Sequence, residues 1–396
     1  MAGQSIGGLF QDMDENTLVT ADGQAQGGQE PERQTPDGQV FKERIQRVCN
    51  KMRTRGLEQL VISAPTSVFY LTGLMIGPHE RMLALLLDSD GTLTLFGNPL
   101  FALDTSVLPF SCVLTPDSED PVAALAAQVR TKSLGIDKDW PARFLLRLME
   151  QCPGLQPCLG SAAVDETRMV KDDAEIKLMR AASRVNDAVM GRTIECLHEG
   201  VTESEVAAIL SRHYEEMGAD LPIGELVVSF GAAAADPHHQ PGAAALTVGQ
   251  CALMDIFTPV AGYWCDMTRT VYLGSVSAQE EEIYGLVRAA NAAGIAAVRP
   301  GVPLSEVDRA ARSVIEDAGF GAFFTHRTGH GCGLDIHEPP DVSASSSAIC
   351  EPGMIFSIEP GIYIPQSYGV RIEDLVLVTA NGCEVLNNYP KDLRIL

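Results

Sequence analysis

The sequence predicts an α+β protein of two domains, on three observations. The chain has 396 residues, more than the roughly 250–300 at which a single hydrophobic core stops growing. Hydrophobic residues make up 45% and charged residues 20%, the balance of a globular chain and not of a disordered or membrane-spanning one. Strand, helix and strand repeat in the N-terminal part, whereas the C-terminal part sets amphipathic helices among apolar strands that suit a mainly antiparallel sheet.

Residues 1–40 are rich in Gly, Gln, Asp and Glu without apolar periodicity, and are expected to form a flexible acidic tail. From Phe41, FKERIQRVCNKMRTRG reads as an amphipathic helix ending at Gly56, and LEQLVIS as a buried strand. MLALLLD and TLTLFGN flank a turn at Ser89-Asp90-Gly91, and the pattern continues to about Cys158. Residues 41–160 are thus expected to form a small α/β domain, and residues 161–396 the α+β domain. In the latter, Ile176, Met179, Ala182, Val185 and Val189 share one helical face. Three more helices are announced by capping boxes: Thr202 with Glu205, Ser277 with Glu280, and Ser305 with Asp308. ELVVSFG, CALMDIFT, RTVYLG, GMIFSIEP and GVRIEDLVLVT read as strands.

Lysine and arginine number 29 against 52 aspartates and glutamates, a net charge of −23. Such a chain repels a phosphate backbone, so nucleic acid is not an expected partner. Residues 1–40 hold seven acidic side chains and one arginine, so the rest of the chain still carries about −17. No apolar run reaches the roughly 18 residues of a membrane span, so no membrane partner is expected. The N-terminus lacks a basic start followed by an apolar stretch, which makes a cytoplasmic location the expectation. Ten cysteines contain neither a C-x-x-C pair nor zinc-finger spacing and read as reduced thiols.

Four acidic residues stand inside apolar strands: Asp255 in LMDIF, Asp266 in YWCDMTRT, Glu359 in FSIEP and Glu373 in VRIEDL. Any one of them could face solvent by strand alternation. Together they call for a compensating cation, because an unpaired carboxylate is costly to bury. If CALMDIFT and CDMTRT form a hairpin turning at Val260-Ala261, Asp255 faces Asp266 directly, and like charges so placed repel unless a cation lies between them. A wider or bulged turn at Pro259 and Gly262 would break that register.

His330 lies in TGHGCGLDIHEPP, flanked by glycines that allow close backbone approach. Asp255, ten residues, Asp266, sixty-three residues, His330, twenty-eight residues, Glu359, thirteen residues, Glu373: in this order and spacing the chain resembles the pita-bread metallopeptidases. That family comprises Xaa-Pro dipeptidase (prolidase), aminopeptidase P, methionine aminopeptidase and the metal-free relative creatinase. MDIFTPVAGYWCDMTRT, HRTGHGCGLDIHEPP, FSIEPGIYIP and GVRIED carry the resemblance over residues 163–396. VFYLTG at 68–73 extends it, less specifically, to the creatinase-like N-terminal domain of the proline-directed members.

The resemblance implies a dinuclear site. Asp255 would bind one divalent ion, His330 and Glu359 the other, and Asp266 and Glu373 would bridge. Four carboxylates at −4 would balance two ions at +4. Oxygen-rich ligation with one imidazole suits manganese, cobalt, iron or zinc without choosing among them, and manganese is the first expectation. Two metals sharing a water would acidify it and supply a bridging hydroxide, with Glu359 handling its proton. His337 would contact the scissile carbonyl and His238 the substrate. His239 has the weaker claim and reads as solvated or structural, whereas Arg269 and Asp374 read as structural. Arg371 has two readings, an ion partner of the carboxylates or a clamp on the carboxylate of a dipeptide's proline. The implied activity is exopeptidase cleavage of Xaa-Pro bonds in small peptides, dipeptides above all, by a homodimer. Aminopeptidase P acting on Xaa-Pro-Yaa is the alternative, followed by a creatinase-like hydrolase or a binding module.

Overall fold

The computed structural model describes residues 38–220 and 226–396, and divides into two compact units at Thr167/Arg168. The expected acidic tail lies outside the described residues except for Gly38, Gln39 and Val40, which open the first helix. That helix, α1 (Gly38–Thr54), buries Arg44, Val48 and Met52 at a spacing of four, the stripe an amphipathic helix turns inward. Beyond it, Gly56 takes φ +66° and turns the chain towards the first strand.

There follow β1 (Gln59–Ile62), α2 (Pro65–Thr72), β2 (Ala84–Asp88), β3 (Leu93–Gly97), β4 (Ser111–Leu114), α3 (Pro121–Ala126), β5 (Ser133–Ile136), α4 (Ala142–Gln151) and β6 (Gln156–Leu159). The strands form one sheet in the order β4-β3-β2-β1-β5-β6. β1, β2 and β3 pair antiparallel, and the outer pairs are parallel. Val122, Leu125, Phe144 and Leu148 of the helices pack on Val61, Leu86, Phe96 and Leu134 of the strands.

α5 (Ala162–Arg168) ends where the second unit begins. This unit holds α6 (Asp173–Ile194), α7 (Glu203–Glu216), β7 (Val227–Phe230), β8 (Cys251–Val260), β9 (Tyr263–Tyr272), α8 (Ala278–Ala297), α9 (Leu304–Asp317), β10 (Gly329–Gly331), β11 (Glu338–Val342), β12 (Ile355–Ile358), β13 (Gly361–Ile364), β14 (Tyr368–Arg371), β15 (Asp374–Val378) and β16 (Cys383–Val385). The strands form three sheets, β7-β8-β9, β11-β10-β12-β15-β16 and β13-β14. Every pairing among them is antiparallel.

Both capping boxes expected at Thr202 and Ser277 form, and Asp172 with Glu175 adds a third at the start of α6. The box expected at Ser305 does not. The N-cap of α9 lies two residues earlier, at Pro303, which has no capping side chain. Asp308 is buried instead, accepting hydrogen bonds from Arg312 and Thr328.

Two further departures shape the site. GVRIEDLVLVT is not one strand: β14 pairs with β13, β15 pairs with β12, and Ile372 and Glu373 carry the chain from one sheet to the other. The β8–β9 hairpin pairs Val260 with Tyr263 and Asp255 with Thr268. Its turn is therefore Ala261-Gly262, and Asp266 faces Phe257, not Asp255. The cause is local. Ala261 and Gly262 both adopt positive φ, +53° and +82°, as the favoured two-residue hairpin turn requires. Gly262→Ala should cost about 1–2 kcal/mol, the penalty for an L side chain in left-handed backbone. Urea unfolding of the variant checks this, and an unshifted midpoint would contradict the turn.

Candidate metal centre

The shifted register keeps both carboxylates on one face, because side chains alternate with a period of two. Ala252, Met254 and Ile256 of β8, with Cys265, Met267 and Val271 of β9, belong to the core built with α6 and α7. Asp255, Asp266 and Thr268 therefore project from the opposite face. Asp255 is diagonal to Asp266 and not directly across, a separation of about 7–8 Å between α-carbons, which leaves room between the carboxylates.

β10 and β12 bring His330 and Glu359 to the same place. No side chain fits at Gly329, where a Cβ would collide with the Ser357 carbonyl. The Ser357 hydroxyl accepts the His330 backbone N–H at 3.0 Å and donates to Glu359 Oε1 at 3.0 Å. Glu373, in the crossing between sheets, donates its N–H to Thr268 O at 3.1 Å. Its Oε2 accepts from the Thr268 hydroxyl at 2.7 Å. Among the described residues, Asp266, His330 and Glu373 form one buried cluster whose ligand atoms lie within 4.8 Å of one another. His330 Nε2 is 3.3 Å from Glu359 Oε1 and 3.6 Å from Asp266 Oδ2.

These groups repel unless a cation joins them. His330 Nδ1 donates to Gly331 O at 3.1 Å. Burial, with His337 beside it, lowers its pKa to about 3. Its Nε2 is thus an unprotonated acceptor aimed at two carboxylates. Burial and then Glu373 and Asp255 hold the Asp266 carboxyl well above the usual range. Burial and then Glu359 and Asp255 do the same to Glu373. Burial pushes Glu359 up to about 7, against the pull of Arg371. Asp255 Oδ1, Asp266 Oδ1 and Glu373 Oε1 are buried without a hydrogen-bond partner. Orphaned carboxylate oxygens around one neutral imidazole are a donor set that fits divalent cations.

Arg371 takes the first of its two readings. It is buried and donates to Asp255 Oδ2 at 2.8 Å, Tyr363 Oη at 2.8 Å and Thr268 Oγ1 at 2.9 Å. Its ion pair is with Asp255. Thr268, Tyr363 and His326 were not singled out in the sequence, although alternation from Asp266 puts Thr268 on the site face. Tyr363 Oη lies 2.8 Å from His326 Nε2, and His326 Nδ1 lies 2.7 Å from Arg327 O. The carbonyl accepts only from a protonated Nδ1, so Nε2 accepts the Tyr363 hydroxyl proton.

His337 is exposed, its ring edge-on to that of His330 with centroids 4.2 Å apart. His238 is exposed too, and partial burial and then Arg327 lower the His337 pKa. His239 Nε2 pairs with the buried Glu203 at 2.8 Å, the structural one of its two expected places. Arg269 is buried and donates to the carbonyls of Thr268, Glu373 and Tyr389 and to Asp374. Glu338, next to His337, is buried between Lys171 at 2.7 Å and Arg168.

The profile of metallopeptidase family M24 matches residues 177–380, and that of the creatinase/prolidase N-terminal domain residues 44–170. An uncharacterised peptidase of Staphylococcus haemolyticus is 35% identical over 88% of this chain and 99% of its own length. Dipeptidase PepE from Mycobacterium ulcerans superposes with a TM-score of 0.86 at 35% identity, covering 91% of this chain and 99% of that one. Prolidase from Thermococcus sibiricus gives 0.85 at 33% identity, covering 90% and 99%. The creatinase-like N-terminal domain and pita-bread α+β fold expected from the sequence are borne out.

His326 has a testable linkage. Burial and then Arg371 lower its pKa from the usual 6.5 to about 4, so between those values the unfolded chain binds the proton that the folded chain excludes. Its contribution to stability is complete above about pH 6.5 and is lost as pH falls through about 4. Compared with the wild type, His326→Gln should flatten the rise of unfolding free energy from pH 4 to 6.5 by up to one proton. Parallel slopes in urea titrations would refute the linkage.

Proposed function

As this chain belongs to metallopeptidase family M24 and is a metallo-exopeptidase, we propose that it hydrolyses the bond between a residue and proline, dipeptides above longer peptides, at two divalent metal ions. The observation that carries this reading is the unprotonated Nε2 of His330 facing Asp266 and Glu359, beside three carboxylate oxygens without partners. Asp255 would hold one ion, His330 and Glu359 the other, and Asp266 and Glu373 both. Manganese leads among the candidates, with cobalt, iron and zinc behind it. Bound there, such ions supply Lewis acidity and a water acidified towards neutral pH.

The chain's own residues do the rest. Glu359, whose Oε1 accepts from Ser357, takes the proton of the attacking water. His337 presents its exposed ring to the scissile carbonyl, and His238 contacts the substrate from the loop that follows β7. Glu338 holds His337 in place through Lys171 and Arg168. Arg371 fixes Asp255 and does not touch substrate. The proline nitrogen carries no N–H, so recognition on that side falls to ring shape and terminal charge. The names of dipeptidase PepE and prolidase support the dipeptide preference. Ten free thiols among the described residues support a cytoplasmic location. The homodimer rests on family resemblance, and light scattering tests it.

Asp266→Asn removes one charge from a donor set with no spare positive group. It should lose bound metal and at least about a hundredfold in turnover. Near-normal metal content and activity would overturn the centre. With metal-loaded protein, Xaa-Pro should be hydrolysed in preference to Xaa-Pro-Yaa and Xaa-Ala. Preference for the tripeptide would make the protein an aminopeptidase P, indifference to proline would defeat the proline-directed reading, and a metal-free protein would point to a creatinase-like hydrolase or a binding module.

A further inference from the structure

A dipeptide presents a carboxylate beside its scissile bond, and the arginine expected to bind it is committed elsewhere, since three Arg371 donors serve Asp255, Tyr363 and Thr268. We propose that Arg327 recognises the C-terminal carboxylate of the substrate and that Asp341 holds Arg327 ready for it. The inference deepens the dipeptidase reading and rests on it.

The geometry begins with strand pairing. Asp341 of β11 is the cross-strand partner of His330 in β10, and directly paired residues project from the same face of a sheet. Arg327 Nη1 donates to Asp341 Oδ1, which tethers the guanidinium on the His330 side. Behind partial burial, its charge lowers the pKa of His337. Arg327 thus stands three residues before His330, tethered to the residue paired with His330 across the two strands.

Arg327 is also available. Its side chain is 36% exposed and that of Asp341 58%, and exposed ion pairs of this kind contribute little to stability. No other hydrogen bond of its guanidinium occurs among the described residues, so a forked donor pair remains for a carboxylate. Its backbone is held, because His326 Nδ1 donates to Arg327 O at 2.7 Å. That contact links Arg327 through Tyr363 to Arg371 and Asp255. One added residue moves the terminal carboxylate outward by about 3.5 Å, so a fixed cation here separates dipeptides from longer chains.

The test compares Xaa-Pro with its C-terminal amide, using the metal-loaded full chain. Wild type should prefer the free acid. In Arg327→Gln, KM for the free acid should rise about ten- to a hundredfold, as for a lost charge-assisted hydrogen bond. The kcat should stay within about threefold, and the amide should be unaffected. Asp341→Asn, which loosens the hold on Arg327, should raise KM for the free acid by a smaller factor than Arg327→Gln, and unchanged hydrolysis of the amide shows that the variant is folded. Equal effects of Arg327→Gln on acid and amide, or no effect on either, would overturn the assignment while leaving the dipeptidase reading intact. Failure of wild type to cleave either substrate would overturn both.

Discussion

The second unit is organised around acceptors that face acceptors. Asp266, Glu359 and Glu373 converge with an unprotonated imidazole nitrogen in a buried space, an arrangement the chain does not neutralise by itself. Burial of unpaired carboxylates is costly, and hydrogen bonds within the protein leave an oxygen of Asp255, of Asp266 and of Glu373 without a partner. The fold thus holds in place a set of groups whose mutual repulsion a bound cation or an added proton relieves. Arg371 pairs directly with Asp255, which anchors one edge of the set.

Holding such groups together requires rigid supports, and these come from polar contacts around the ligands. Thr268 donates to Glu373 and accepts from Arg371. Arg269, one residue on and facing the other way, binds the backbone carbonyls of Thr268 and Glu373. It also reaches Tyr389 O and Asp374, and Lys391 closes on Asp374 from the far side. The jump of the chain between sheets at Ile372 and Glu373 therefore does not leave Glu373 loose. Its backbone is pinned by Thr268 and Arg269 of β9, which is why a non-strand residue can still present its carboxylate to a fixed point.

Much of this was legible in the sequence, and the failures share a cause. Apolar strands interrupted by Asp255, Asp266, Glu359 and Glu373 gave away the candidate ligands, since local hydropathy says where a carboxylate is out of place. The hairpin register was misjudged by one residue of turn, because the conformation of Ala261-Gly262 decides the pairing and apolar alternation does not. The common face of Asp255 and Asp266 survived, since parity is insensitive to that slip. GVRIEDLVLVT looked continuous because a strand that changes sheets keeps its apolar pattern. The two readings of Arg371 could be separated only by seeing Asp255, 116 residues away, and the chain through Tyr363 to His326 likewise exists only in space. Ser305 failed as a cap because α9 takes its N-cap two residues sooner, at Pro303.

The loop that carries His337 has an unusual fastening. Its exposed imidazole is followed at once by Glu338, buried against Lys171 and Arg168. Gly333 has no side chain because one would meet Glu338 Oε1 and Lys171. An apolar anchor and a buried ionic one respond differently to heat. The dehydration penalty of charged groups falls as temperature rises, whereas apolar stabilisation per unit area levels off. Warming thus tightens this attachment relative to the surrounding core, so the histidine keeps its position at temperatures where neighbouring apolar contacts have begun to weaken.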